Sequence, residues 1–236
     1  MKRIILCIAF VLSCLPLLAD GPEKKPHFCI EPGTRLYYER HRAGTGQLTQ
    51  TTEIFIESIE DTPDGKLVHY TLTLSRGLFG GEHHLTCLID EDGNAYMDFG
   101  AAAQSFVRNM FPKAKMTVSG TSAVMPQTFI PGETLPGARS EAVLSFCSIL
   151  VEIFDREVLR HETVTTPAGT FPCAVVFFRK VEDAPFHKRD NWEEDYYTPG
   201  IGYVRHLVYG KDMKLIAVEE LVRIERPQND NLVTLR

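Results

Sequence analysis

The 236-residue sequence predicts a mainly β chain in which one antiparallel sheet curls around a core, with a single short helix near 101–111. Three observations carry this expectation. Apolar residues recur in period two over most of the length. Short connections rich in Gly, Pro, Asp and Thr separate the segments so defined, which favours hairpins and antiparallel neighbours. The segment from Phe171 is apolar on both faces, with Phe171, Cys173, Val175 and Phe177 on one and Ala174, Val176 and Phe178 on the other. A strand of that kind is covered on both sides, so the sheet must curl, with the helix or a long loop packing on it.

Taken in order, residues 1–19 stand apart from the fold. Lys2 and Arg3 precede an apolar run, Ile4 to Leu12, which is followed by Pro16 and Leu17-Leu18-Ala19, the pattern of a secretory signal cleaved after Ala19. The run is too short and interrupted to span a bilayer, and no later segment is long and apolar enough to do so. The less favoured alternative is a lipoprotein signal with Cys14 as the acylated residue. Cleavage leaves 217 residues and a charge of −8, where the full chain carries −6. Such a length suits one domain, placed at 32–227 between a flexible leader, 20–31, and a C-terminal tail, 228–236. The acidic balance, without a basic run, argues against nucleic acid and against docking on anionic headgroups.

Strands are expected at 35–42, 50–60 and 67–76, with Tyr38, Phe55, Ile59, Val68, Tyr70, Leu72 and Leu74 as inward candidates. Turn residues at Gly44/Gly46, at Thr62-Pro63-Asp64-Gly65 and at Gly80-Gly81 punctuate them. A hairpin around Asp92-Gly93 joins 84–90 to 94–99. Ala102, Phe106 and Met110, with Ala103, Val107 and Phe111, then recur at helical spacing until Pro112. A Pro- and Gly-rich connection, 112–137, leads to strands at 140–147, 149–165 and 171–181, then 202–210 and 213–225. In the last of these Ile216, Val218 and Val222 oppose Leu215, Ala217 and Leu221, so it too reads as covered on both sides. Sliding the chain by 104 residues lays Pro32-Gly33 on Pro136-Gly137, and Thr62, Pro63 and Gly65 on Thr166, Pro167 and Gly169, a faint internal repeat.

Motifs of chemistry are sparse. Asp90-Glu91-Asp92-Gly93-Asn94 lacks the spacing of a calcium loop and reads as a turn. His83 and His84 are adjacent, so they point to opposite faces of a strand and cannot chelate one ion together. No Gly-x-Ser-x-Gly elbow exists, and Ser119-Gly120-Thr121-Ser122 has no helix after it. Cys29, Cys87, Cys147 and Cys173 remain after cleavage in a space that permits disulfides. They allow three pairings, or buried free thiols where they sit among apolar neighbours. No catalytic residue, metal ligand or cofactor is indicated. The candidate binding residues are Trp192, Tyr196, Tyr197 and Tyr203, because Trp192-Glu193-Glu194-Asp195-Tyr196-Tyr197 gathers the single tryptophan and two tyrosines at a loop-to-strand junction.

Leu135-Pro136-Gly137, Thr166-Pro167-Ala168-Gly169-Thr170-Phe171-Pro172-Cys173, Tyr197-Thr198-Pro199-Gly200-Ile201-Gly202-Tyr203-Val204 and Glu219-Glu220-Leu221, with Pro32-Gly33-Thr34 ahead of Tyr37-Tyr38, resemble the TapB-like family of uncharacterised exported proteins from Bacteroidota. The resemblance implies a lipocalin-like or half-barrel shape in a periplasmic or envelope protein, and brings no catalytic residues with it. The expectation is a non-enzymatic protein whose curved sheet holds an apolar small molecule or a segment of another envelope protein. The alternatives are a structural protein with a filled interior, and a hydrolase or metal enzyme.

Overall fold

The computed structural model describes residues 25–77, 80–185 and 187–227. The expected signal, the first part of the leader and the C-terminal tail lie outside the described residues. Along the chain run β1 (Arg35–Arg42), β2 (Leu48–Thr62), β3 (Gly65–Leu74), β4 (Gly81–Ile89), β5 (Ala95–Met97), α1 (Ala101–Met110), β6 (Met116–Thr121), β7 (Ala123–Met125), β8 (Thr134–Leu135), β9 (Ala138–Leu144), β10 (Ser148–Thr166), β11 (Gly169–Ala184), β12 (His187–Thr198), β13 (Gly202–Tyr209) and β14 (Leu215–Glu225). All described strands belong to one antiparallel sheet in the order β6-β9-β10-β11-β12-β13-β14-β1-β2-β3-β4-β5-β7, with β8 paired to β10.

The ends of that order explain the curvature. The two edge strands, β6 and β7, are consecutive in sequence and separated by Ser122 alone. Strand β6 pairs with β9 on one side of the seam and β7 with β5 on the other, so the sheet bends until its edges meet, leaving no long open edge. A buried arginine bolts the seam. Arg156, on β10, is 2 % exposed and donates to the carbonyl of Val124 in β7 at 3.0 Å and to that of Pro136 at 2.7 Å. It reaches inward because β10 carries a bulge between Phe154 and Glu157, with Asp155 at φ 52°.

Tight turns set the register. Gly65, at φ 128°, closes β2 onto β3, and a Cβ there would lie 2.2 Å from the Ile89 carbonyl oxygen. Gly169 plays the same part between β10 and β11, at φ 144°. The 104-residue offset therefore superimposes two hairpins of the same build, Thr62 paired to Gly65 and Thr166 paired to Gly169. Asp90 makes the expected turn, accepting from the backbone and side chain of Asn94 and from the Tyr96 hydroxyl.

Alternating neighbours are antiparallel, so β1, β3, β11 and β13 all finish at one end of the barrel, called here the upper end. Helix α1 packs at this end, its Ala103 and Val107 joining Leu144, Ile149 and Ala184. The lower end is crossed by the N-terminal segment. His27, Phe28 and Cys29 are buried there, the Pro26 carbonyl accepts from Gly200 N at 2.7 Å, and the Phe28 ring meets Tyr70 edge-on at 5.3 Å. From Lys25 on, the expected flexible leader is instead a plug, because its apolar Phe28 and Cys29 have a barrel end to fill.

Several further expectations give way. Strand β12 occupies what reads as a loop leading to a junction at 192–197, and β6, β7 and β8 lie inside the expected connection 112–137. Ile54 and Ile56 face inward in place of Phe55, whose ring lies under the Arg35 guanidinium at 3.9 Å. Both faces of β11 are covered from Cys173 to Val176, but not by α1. On the outer face Val175 sits in register between Arg160 and Tyr196, and the Arg160 guanidinium reaches the Tyr196 hydroxyl at 3.4 Å. Strand β14 is one-sided: Ala217 and Leu221 are buried and Ile216 is 46 % exposed. Cys29, Cys87, Cys147 and Cys173 are free thiols, and burial pushes that of Cys87 up to about 12.

Candidate functional site

A cavity of about 300 Å³ occupies the barrel interior, and two unlike walls meet in it. One is apolar. Strands β2 to β5 supply Ile54, Ile56, Leu72, Leu74, Leu85 and Met97, with Phe28 from the lower plug and Phe99 from the approach to α1. The other wall is ionisable, with Lys180, Glu182, Arg189, Glu193, Asp195, His206, Glu219 and Arg40 drawn from β11 to β14 and β1.

Register builds the charged wall. Asp195 is paired with His206, His206 with Glu219, and Glu219 with Arg40. Directly paired residues share a face, so four ionisable side chains form a row across four adjacent strands. Direct contacts hold part of the row. Asp195 accepts from the Tyr197 hydroxyl at 2.7 Å and lies 2.6 Å from Nδ1 of His206, while Glu193 stands 3.7 Å from Nε2 of the same ring. Glu219 accepts from Thr52 at 2.8 Å. Nearer the upper end, Lys180 Nζ lies 2.9 Å from Glu182, which also lies 3.0 Å from the His187 ring.

These contacts govern protonation. Burial alone would lower the pKa of Lys180, but Glu182 and Glu193 outweigh it and hold the ammonium above the ordinary lysine range. The Lys180 charge in turn holds Glu182 down, at about 2, against the opposing effect of burial. For His206 burial again lowers, and Asp195 with Glu193 overcome it, so its pKa is raised. Burial drives the hydroxyls of Tyr38, Tyr197 and Tyr203 well up, leaving them as donors at any physiological pH.

A second hollow of about 420 Å³ lies among His27, Phe129, His161 and Cys173, open to solvent and without such a row. His83 is buried and His84 faces outward to Thr71 and Glu57, on opposite sides of β4. Among the described residues, no group of three His, Cys, Asp or Glu side chains is placed to hold a metal ion, and no helix is long and apolar enough to cross a membrane.

Comparison with known proteins places this architecture. A match to the DUF3108-like family runs over residues 31–221, from the plug through most of β14. The chain belongs to the DUF3108-like family. That family is a domain of unknown function. The DUF3108-like barrel is also similar to two crystal structures. One is a protein of Bacteroides fragilis described as exported and as having a YmcC-like fold, at 21% identity and TM-score 0.67, covering 86% of this chain and 100% of that one. The other is a protein of Parabacteroides distasonis described as a lipoprotein, at 19% identity and TM-score 0.65, covering 85% of this chain and 99% of that one. At those identities the likeness fixes the fold. No curated protein matches the chain significantly.

Within this DUF3108-like chain the four candidate binding residues divide between two faces. Tyr197 and Tyr203 line the cavity, and Tyr203 stacks on Tyr38 with ring centroids 4.6 Å apart. Trp192 and Tyr196 lie on the outer face, Trp192 stacked on Phe177 at 5.1 Å and Tyr196 donating to Glu194 at 3.0 Å. Alternation along β12 separates them, sending Glu193, Asp195 and Tyr197 inward. Arg40, Lys180, His206 and Glu219 lie far apart in sequence and carry no shared motif, and only cross-strand register brings them together.

The raised pKa of His206 has a consequence for stability. A group whose folded pKa exceeds its unfolded value stabilises fully below the unfolded pKa, about 6.5 for histidine, and the contribution fades as pH rises through the folded value. Thermal midpoints of the wild type and His206→Gln, compared from about pH 6 upward, are expected to show a stability excess of the wild type that shrinks with rising pH. A difference independent of pH would remove the charged histidine from the row.

Proposed function

We propose that this protein is exported and binds a small apolar or amphipathic molecule inside its barrel, without catalysing a reaction. The observation that carries the reading is the cavity itself: about 300 Å³, enclosed by the sheet, with one apolar and one ionisable wall. Ligand pockets start at roughly this size and combine apolar lining with a few fixed polar groups. Export is supported by the N-terminal signal pattern, and the structural relatives described as exported and as a lipoprotein accord with it. The TapB-like resemblance fits within the same reading. A non-catalytic role is favoured by the state of the interior groups: Glu182, Asp195, Glu219 and His206 are each held by a donor or acceptor of the chain. A general base or nucleophile has to be available to its substrate.

Native mass spectrometry after gentle purification is expected to show a co-purifying small molecule, or the delipidated protein to bind an apolar fluorescent dye stoichiometrically. Leu72→Trp, which fills the apolar wall, should abolish dye binding at a stability cost of about 1–3 kcal/mol, with the β-sheet circular dichroism retained. A bare protein that binds no dye would sink the proposal, and so would dye binding unchanged in Leu72→Trp.

A further inference from the structure

The charges that line the cavity are not evenly matched, and the mismatch has a place in the fold. All five lining carboxylates are engaged from within. Glu182 faces Lys180 and His187, Glu193 and Asp195 face His206, Glu219 accepts from Thr52, and Asp98 accepts from Gly100 N at 2.8 Å and Gln104 at 2.7 Å. The lining guanidiniums differ. Arg40, Arg76 and Arg189 all border the cavity, and among the described residues none is within ion-pair distance of a carboxylate. Arg40 is half-buried at the end of the ionisable row, whereas Arg76 and Arg189 are exposed.

Topology sets the three together at the mouth. Arg40 stands near the finish of β1, Arg76 just past the finish of β3, and Arg189 near the start of β12, and all of these are at the upper end. From there the apolar wall descends past Leu72 and Ile54 to Ile56 and the Phe28 plug at the closed lower end. Among the described residues, one end of the cavity thus presents guanidiniums that make no ion pair, Arg189 acting on its cross-strand neighbour Glu182 only at longer range, and the other end offers hydrocarbon. Guanidinium groups favour carboxylate and phosphate oxygens through paired hydrogen bonds, and an alkyl chain gains by leaving water.

We infer that the ligand is a single-chain amphiphile with an anionic head, bound tail-down with its carboxylate or phosphate among Arg40, Arg76 and Arg189. This rests on the cavity-binding reading above and goes further by fixing the charge and orientation of the ligand. One chain is specified because a cavity of about 300 Å³ lies at the bottom of the size range of small-molecule sites.

The test is calorimetric titration of the full mature chain with decanoate, decyl phosphate, decanol and decyltrimethylammonium, which share a tail and differ in head. Either anion is expected to bind at least about tenfold more tightly than decanol, the equivalent of one charge-assisted hydrogen bond. The advantage should shrink as salt is raised. Arg40→Gln combined with Arg76→Gln and Arg189→Gln should bring the anions down to the affinity of decanol and leave decanol unchanged, which a merely unfolded variant could not do. A preference of decanoate over decyl phosphate, or the reverse, assigns the head as carboxylate or phosphate. Equal binding of decanol and the anions, or tighter binding of the cationic amphiphile, overturns the inference while the cavity-binding reading stands. Absence of binding by all four overturns both. Co-sedimentation of the protein with phosphatidylglycerol vesicles, lost in the triple variant, would assign the arginines to a bilayer surface and also overturn it.

Discussion

Replacing Arg156 by Met is expected to destabilise the protein by about 3–5 kcal/mol, and to do so by opening the seam of the barrel. The guanidinium is 2 % exposed and spans two carbonyls from different parts of the closure, Val124 in β7 and Pro136 just ahead of β9. Methionine fills much of the volume but donates nothing, so the closure loses the buried donor that joins these two carbonyls. Two hydrogen bonds from a charged group are forfeited at once, each worth about 1.5–3 kcal/mol. At roughly 2–4 °C per kcal/mol for a domain of this size, the thermal midpoint should fall by on the order of 10 °C. Hydrogen exchange distinguishes the mechanism from a general loss of packing. Amides around Ala123–Met125 should lose protection at denaturant concentrations where the β2–β3 and β10–β11 hairpins remain protected. Uniform loss across the sheet would show that Arg156 is a core residue like any other and not the bolt of the seam.

The part of the fold set by local chemistry was legible in the sequence, and the part set by closure was not. Alternation and turn residues such as Thr62 to Gly65 mark β1 to β4, because a hairpin needs only its own neighbours to declare itself. Strand β12 escaped because its inward side carries Glu193 and Asp195, which read as a solvated loop until β13 and β11 supply His206 and Lys180. Arg156 escaped for a related reason. Buried positions in β10 run Ile149, Val151 and Ile153, then pass to Arg156 and Val158 across the bulge, so a simple alternation puts the arginine outside. The short strand β6 carries no core pattern of its own, since it is nearly all exposed and exists to pair with β9, and β7 buries Ala123 and Met125 in a run of three residues, too short to display a period. Of the binding candidates, Tyr197 and Tyr203 reach the cavity because aromatic density does mark this region. Trp192 and Tyr196 do not, because one strand has two faces.

The ionisable wall gives the second large effect. Lys180→Met is expected to cost about 3–5 kcal/mol near neutral pH, since it leaves Glu182 and Glu193 facing a low-dielectric interior without their ammonium. The pH dependence identifies the cause. In the wild type the Glu182 carboxyl sits at about 2, held there by Lys180, so its pairing stabilises above the ordinary glutamate pKa and is lost as pH falls toward about 2. In the variant the same carboxyl has lost that partner and its pKa rises, so acidification protonates it and relieves the penalty. The two stability curves should therefore be farthest apart near neutrality and converge in acid, as read by urea midpoints. Combining Lys180→Met with Glu182→Gln should recover part of the loss, a coupling of roughly 2 kcal/mol for a contacting pair. A gap between the curves that stays constant in acid, or a double variant with purely additive losses, would mean that Lys180 supports the barrel through its alkyl chain and not through its charge.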